Sequence, residues 1–237
     1  RKSISWVEAM ASPTVVFEDN HLLIVDKPAG MPVQGDSTGD FHLLQWAAHY
    51  IKGKYNKPGE AFVGLVHRLD RPVSGLVVLA RTSKALTRMN EIFRERRVKK
   101  TYLAMTTRPL PERQGTLEDP MDKDSRHHRA IVYKKEREGI KMARLDYSLE
   151  RQQNDAYLYK VNPFSGRFHQ IRAQLAHHGA PIVGDLKYGY PKPNADKSVC
   201  LHAFRLEFIH PVRGDLLVFE AEIPKGLEWQ RVTGPYN

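Results

Sequence analysis

Cysteine is nearly absent: Cys200 stands alone among 237 residues. A single thiol excludes a disulfide framework and any cysteine-based zinc site, and it fits a reducing, cytoplasmic setting. Long apolar runs are missing too, and none approaches the roughly 18 residues that a membrane-crossing helix needs. No membrane partner is therefore expected. The beginning, Arg1-Lys2-Ser3-Ile4-Ser5-Trp6, is basic without an apolar core, so no secretion signal is expected. Metal-ligand spacing is also lacking, since eleven histidines include no His-Glu-x-x-His pattern. His127-His128 and His177-His178 are adjacent pairs whose rings diverge on a helix or strand, so no bound metal is expected. No internal repeat or low-complexity segment divides the chain, which favours one domain over residues 1–237.

What is present is a soluble globular composition, 41% apolar, with a strong excess of positive charge. A net charge of +10 suggests a polyanionic partner, nucleic acid being the usual one. A merely soluble basic protein would show the same sum, so the distribution of the charge matters more.

Two β-branched runs around Glu18-Asp19-Asn20 read as a hairpin that ends at Lys27-Pro28-Ala29-Gly30. Leu43, Leu44, Ala47, Ala48 and Ile51 follow helical spacing, and a Lys/Gly/Pro linker runs from Lys52 to Glu60. A second helix is expected after a Thr82 or Ser83 cap, with Ala85, Leu86, Met89, Ile92 and Phe93 facing inward. Its tail gathers Arg94, Arg96, Arg97, Lys99 and Lys100. One or two of these cations would complement the helix dipole; the cluster favours contact with phosphates. Tyr102 follows on a strand from Val98 to Thr106, as a core residue or as a platform for an unstacked base. Residues 108–140 read as turn-rich with short β-like pieces. Paired strands resume at Ala143–Leu149 and Ala156–Val161, and strand-like runs close the chain at Phe204–Ile209 and Leu216–Ile223. Strands before, between and after helices describe an α+β domain around a mostly antiparallel sheet.

Two stretches carry chemistry. In Val66-His67-Arg68-Leu69-Asp70-Arg71-Pro72-Val73-Ser74-Gly75 an aspartate sits between two arginines, at a turn before the apolar run Leu76–Ala80. A charged carboxylate on a rigid edge suits a nucleophile or an electrostatic stabiliser, although Asp and Pro also favour turns for local reasons. In Gly166-Arg167-Phe168-His169-Gln170-Ile171-Arg172 the spacing places Arg167, His169, Gln170 and Arg172 at a helix start, where backbone N–H groups attract anions. Phe168, Ile171 and Leu175 form its inward stripe, and Gly179 suits its left-handed stop.

Taken together these stretches resemble the RluA-type family of RNA pseudouridine synthases. His67-Arg68-Leu69-Asp70-Arg71 with Ser74-Gly75 is similar to that family's catalytic-aspartate motif. Gly166-Arg167 with His169-Gln170-Ile171-Arg172, then Gly184-Asp185 and Tyr188-Gly189, resembles its second signature. Phe17-Glu18-Asp19 with Lys27-Pro28-Ala29-Gly30 resembles its opening hairpin, and Leu201-His202-Ala203 with His210-Pro211 its closing strand. The resemblance implies a central, mostly antiparallel sheet flanked by helices, with a basic RNA-binding cleft. It implies isomerisation of uridine to pseudouridine in ribosomal or transfer RNA, without cofactor or metal. By position, Asp70 would be the catalytic carboxylate, Arg172 the ion-pair partner that orients it, and Tyr102 the ring stacked on the uracil. Arg68, Arg71, Arg96, Arg97, Lys99, Lys100, Arg167 and His169 would contact RNA, with Arg68 and Arg71 open also to a scaffold role. No small N-terminal RNA-binding module is visible, and a monomer is expected. Pro72-Val73, Phe168 and Gln174 depart from the family's more frequent residues, but none replaces a proposed catalytic group.

A non-catalytic RNA-binding protein would keep the cations and tolerate loss of Asp70 and Arg172. A base-excising hydrolase would release free uracil. A DNA-binding role finds no helix-turn-helix or zinc-finger pattern.

Overall fold

The computed structural model describes residues 12–56 and 58–234. The beginning Arg1–Trp6, where no secretion signal is expected, lies outside the described residues. The chain gathers into two compact units, Arg1–Val98 with Leu206–Ala221 and Lys99–Arg205 with Glu222–Asn237. One of the three crossings, between Arg205 and Leu206, falls inside a continuous strand, β10 (Leu201–Ile209), where no compositional break marks it.

In the first unit, β1 (Thr14–Glu18) and β2 (Leu22–Lys27) form the expected antiparallel hairpin. Asp19 closes its turn, Oδ1 accepting from the amides of His21 and Leu22 at 2.7 and 2.8 Å. β4 (Ser74–Ala80) pairs antiparallel with β2 and with the short β3 (Gly64–Leu65). All seven of its residues are buried, as its unbroken apolar run demands. α1 (Leu43–Tyr55) starts in a capping box between His42 and Gln45 and stops at the left-handed Asn56. It therefore takes up Lys52–Tyr55, which the sequence reads as linker; Lys52 and Lys54 complement the dipole of its last turn. α2 (Ser83–Arg94) is capped by Thr82, whose hydroxyl accepts from the Ala85 amide at 3.1 Å. Ala85, Met89 and Ile92 sink into a core with Leu22, Ile24, Leu76, Val78, Leu206 and Phe208. β11 (Leu216–Glu220), which pairs with β10, adds Leu217 to that core.

In the second unit, β5 (Lys99–Thr106), β9 (Ala156–Pro163), β8 (Lys141–Gln153), β6 (Gln114–Asp124) and β7 (Arg129–Val132) pair antiparallel in that order. β6 corrects the turn-rich reading of residues 108–140: it is a strand of 11 residues. Asp119 and Pro120 hide it: Asp119 is buried between Leu117 and Met121, where alternation would show an apolar side chain, and proline reads as a strand breaker.

α3 (Gln170–His177) also differs from expectation. His169 takes the left-handed region, φ 53°, so Arg167, Phe168 and His169 precede the helix and Phe168 is no part of its inward stripe. Gly179 does supply the left-handed stop, at φ 82°. The rings of His177 and His178 do not diverge: the helix ends between them, and they meet edge-on with centroids 5.3 Å apart. The 3₁₀ turn Leu186–Tyr188 and α4 (Leu227–Thr233) complete the unit. Among the described residues no helix is long and apolar enough to cross a membrane.

Candidate active site

Asp70 lies in the first unit, on the turn that leads into β4, and is half-buried. That turn is pinned from three sides. Its own ends close through Val73 N–H donating to the Asp70 carbonyl at 2.9 Å. His67 accepts from the Val78 amide through Nε2 at 2.9 Å and stacks on Phe93, which anchors the incoming strand. The Arg71 carbonyl accepts from the Gly30 amide at 2.7 Å and from Lys27 Nζ at 3.3 Å, which ties the turn to the end of β2. Gly75 opposes Lys27 in the β2–β4 register with φ 120°, a conformation that only glycine holds without strain.

Lys27 is the feature that sequence reasoning missed here. It is 0% exposed, and Nζ also donates to the carbonyls of Pro28 and Met31, both at 2.9 Å. Burial draws its pKa down to about 7, while the nearby charges of Asp70 and Asp26 work to keep it protonated. In the sequence Lys27-Pro28-Ala29-Gly30 registers as a strand end and as part of the family's opening hairpin, with no role for Lys27 itself. Arg71 is tied into the fold: Nε donates to the Gly30 carbonyl at 2.9 Å and Nη2 to Asp40 at 2.6 Å. Arg68 is exposed, as are Arg96 and Arg97 beyond α2; Arg97 pairs with Glu95 at 2.7 Å.

Arg172 and Tyr102 lie in the second unit. Arg172, on the first turn of α3, is only 4% exposed. Asp185, 1% exposed, grips it with two hydrogen bonds, Nε donating to Oδ2 at 2.7 Å and Nη2 to Oδ1 at 2.9 Å. The guanidinium also lies over the Tyr188 ring, 5.2 Å from its centroid. Tyr188 is fixed in turn: its hydroxyl accepts from the Ala130 amide at 2.7 Å and bonds His169 Nδ1 at 2.7 Å. Gly184 makes the approach of Asp185 possible. Its φ is 84°, and a Cβ there would meet the Asn194 side chain and the Ser198 carbonyl at 2.6 Å. Sequence reasoning noted Gly184-Asp185 and Tyr188 as part of a signature and gave them no role.

Arg167 and His169, expected to touch RNA, are engaged by the fold. Arg167 Nε donates to the Met142 carbonyl at 3.1 Å; His169 stacks on Phe168, with Lys123 over the other ring's face at 4.7 Å. Tyr102 is half-buried on β5 opposite Val161, Lys99 is exposed, and Lys100 is half-buried. A cavity of about 680 Å³ opens beside Tyr188, lined among others by Arg129, Lys187, His177 and Asp124. Within the described residues, Asp119, His177 and His178 form a group able to hold a metal ion.

Comparison with known proteins places the chain among RNA-modifying isomerases. A family model described as RNA pseudouridylate synthase matches residues 21–177, a span that contains Asp70, Tyr102 and Arg172. Ribosomal large subunit pseudouridine synthase C of Yersinia pestis is 31% identical over 92% of this chain and 68% of its own length. Ribosomal large subunit pseudouridine synthase D of Nitrosomonas europaea is 33% identical over 89% of this chain and 62% of its own. A solved human structure, RNA Pseudouridylate Synthase Domain Containing 4, shares the fold with TM-score 0.75, at 22% identity and 94% coverage of both chains. The chain belongs to the RNA pseudouridylate synthase family, of the RluA type.

Proposed function

We propose that this protein isomerises uridine to pseudouridine in ribosomal RNA, with Asp70 as the catalytic carboxylate. The names of its relatives support the choice of RNA. The observation that carries the assignment of Asp70 is the pinning of its turn, by the Arg71 carbonyl, Lys27 and Gly30. A carboxylate on a mobile loop would spend binding energy on being ordered; this one is ordered beforehand.

The reaction breaks the N1–C1′ bond, turns the uracil and forms a C5–C1′ bond. The C5 proton leaves and N1 gains one, so atoms and electrons balance without a cofactor. Cleavage builds positive character on the sugar, which a fixed carboxylate stabilises or traps, as in retaining glycosidases. Arg172 is the cation that orients the carboxylate, and Tyr102 is the ring against the uracil, which must leave its stack to be reached. Exposed Arg68, Arg96, Arg97 and Lys99 contribute backbone contacts whose effect weakens with salt.

Pseudouridine mapping in total RNA, with wild type and Asp70→Asn, tests the assignment. Wild type is expected to modify large-subunit ribosomal RNA and the variant to lose at least ~10³-fold in rate with an unchanged melting temperature. Modification of transfer RNA alone would replace the substrate, and an active Asp70→Asn protein would remove Asp70 from the chemistry.

A further inference from the structure

Asp119 projects from β6 into the second unit and is 6% exposed. Its carboxylate accepts from Gln174 Nε2 at 2.8 Å and meets His178 Nε2 at 3.0 and 3.1 Å. Among the described residues neither lysine nor arginine pairs with it, although a buried carboxylate needs a compensating positive charge. A second imidazole lies within reach: ligand atoms of Asp119, His177 and His178 are all within 4.8 Å of one another. Adjacent residues of a continuing helix point about 100° apart and could not converge in this way. These two converge because α3 ends at His177 and His178 turns out of the helix, at φ −87° and ψ 19°.

We propose that Asp119, His177 and His178 form a binding site for a divalent transition-metal ion of the zinc class. Two imidazoles and one carboxylate suit zinc, cobalt or nickel and do not suit magnesium or calcium, which demand oxygen ligands. Ligand atoms in a tetrahedral zinc shell stand roughly 3.4 Å apart, so the closing movement needed is small, and His177 is exposed. The carboxylate is already oriented. Gln174, itself fully buried, holds Oδ2 and also donates to the Ala143 carbonyl at 3.1 Å, the kind of outer-shell bond that tunes a metal ligand. The ion would clamp the C-terminal end of α3 to β6. It stands outside the isomerisation chemistry, for which the bond balance needs no metal.

The test uses the full chain without an affinity tag, stripped with chelator and titrated with Co²⁺. Expected is one equivalent of bound ion with visible d–d absorption, displaced by Zn²⁺ and indifferent to excess Mg²⁺. His177→Gln, an exposed change that leaves the fold alone, is expected to weaken binding at least roughly tenfold, and Asp119→Asn to abolish it. Absence of saturable binding would mean that Asp119 and His178 form a plain hydrogen-bonded pair. Undiminished binding by His177→Gln, or effective competition by Mg²⁺, would equally overturn the site.

Discussion

Among the described residues each unit buries one lysine or arginine, and the two are satisfied in opposite ways. Lys27, in the first, is surrounded by main-chain carbonyls of Pro28, Met31 and Arg71. Arg172, in the second, is held by a carboxylate fork and an aromatic face. An ammonium is a compact point charge with three donors, so three carbonyls can share it and the backbone around it is what becomes fixed. A guanidinium is planar and always charged, so a bidentate carboxylate fixes its orientation. The first arrangement places a loop; the second aims a side chain. Lys27 thus reads as a clamp for the Asp70 turn, and Arg172 as a side chain whose direction Asp185 and Tyr188 fix.

Arg172→Met breaks that comparison most severely. It strands the Asp185 carboxylate, 1% exposed, without its fork, and is expected to cost about 3–5 kcal/mol in chemical unfolding. The double variant Arg172→Met with Asp185→Leu should recover at least half of that loss while remaining inactive, because the stranded charge has gone. Equal instability of single and double variants would deny that the pair is what matters.

Lys27→Met should cost less, about 3 kcal/mol: it leaves main-chain carbonyl dipoles unpaired and removes the cation near the Asp70 and Asp26 carboxylates, which unlike Asp185 are not gripped by it in a buried fork. No single second substitution can rescue it, because the acceptors belong to the main chain. Denaturant titration measures the loss, and a change below about 0.5 kcal/mol would show that the clamp is idle.

Legibility in the sequence followed the same division. Strands and helices that bury apolar side chains declared themselves: the β1–β2 hairpin, β4 and α2 lie where periodicity puts them. What stayed hidden was polar and internal. β6 was obscured by Asp119 and Pro120, and the late start of α3 by the left-handed His169, which no spacing rule foresees. Asp70, Tyr102 and Arg172 stood out through family likeness. Lys27 and Asp185 belonged to the same motifs but drew no role, because a lysine at a strand end and an aspartate after glycine are ordinary surface patterns until the fold buries them.

The two units should also part company in acid, with a smaller effect of about 2 kcal/mol at pH 5. His202, in the second unit, is fully buried, and burial lowers its pKa to about 4 against an opposing backbone hydrogen bond with Glu222. Between pH 6.5 and 4 the unfolded chain binds a proton there that the native chain does not. The stabilisation is therefore complete above pH 6.5 and is lost at up to about 1.4 kcal/mol per pH unit as pH falls through 4. Glu18, in the first unit, behaves otherwise. Burial would raise its pKa, but hydrogen bonds from Lys54, Tyr55 and Tyr50 outweigh that and bring it to about 2. Its contribution is intact above about pH 4.5 and is lost only as pH falls towards 2. Trp229 lies 6.1 Å from His202 and reports on the second unit, while Trp46, on α1, reports on the first. In single-tryptophan variants unfolded by denaturant at pH 7 and pH 5, the Trp229 transition is expected to move to lower denaturant and the Trp46 transition to move less. Replacing His202 with Gln should abolish the difference between the two pH values, and a shift that persists in that variant would assign the acid sensitivity to another group.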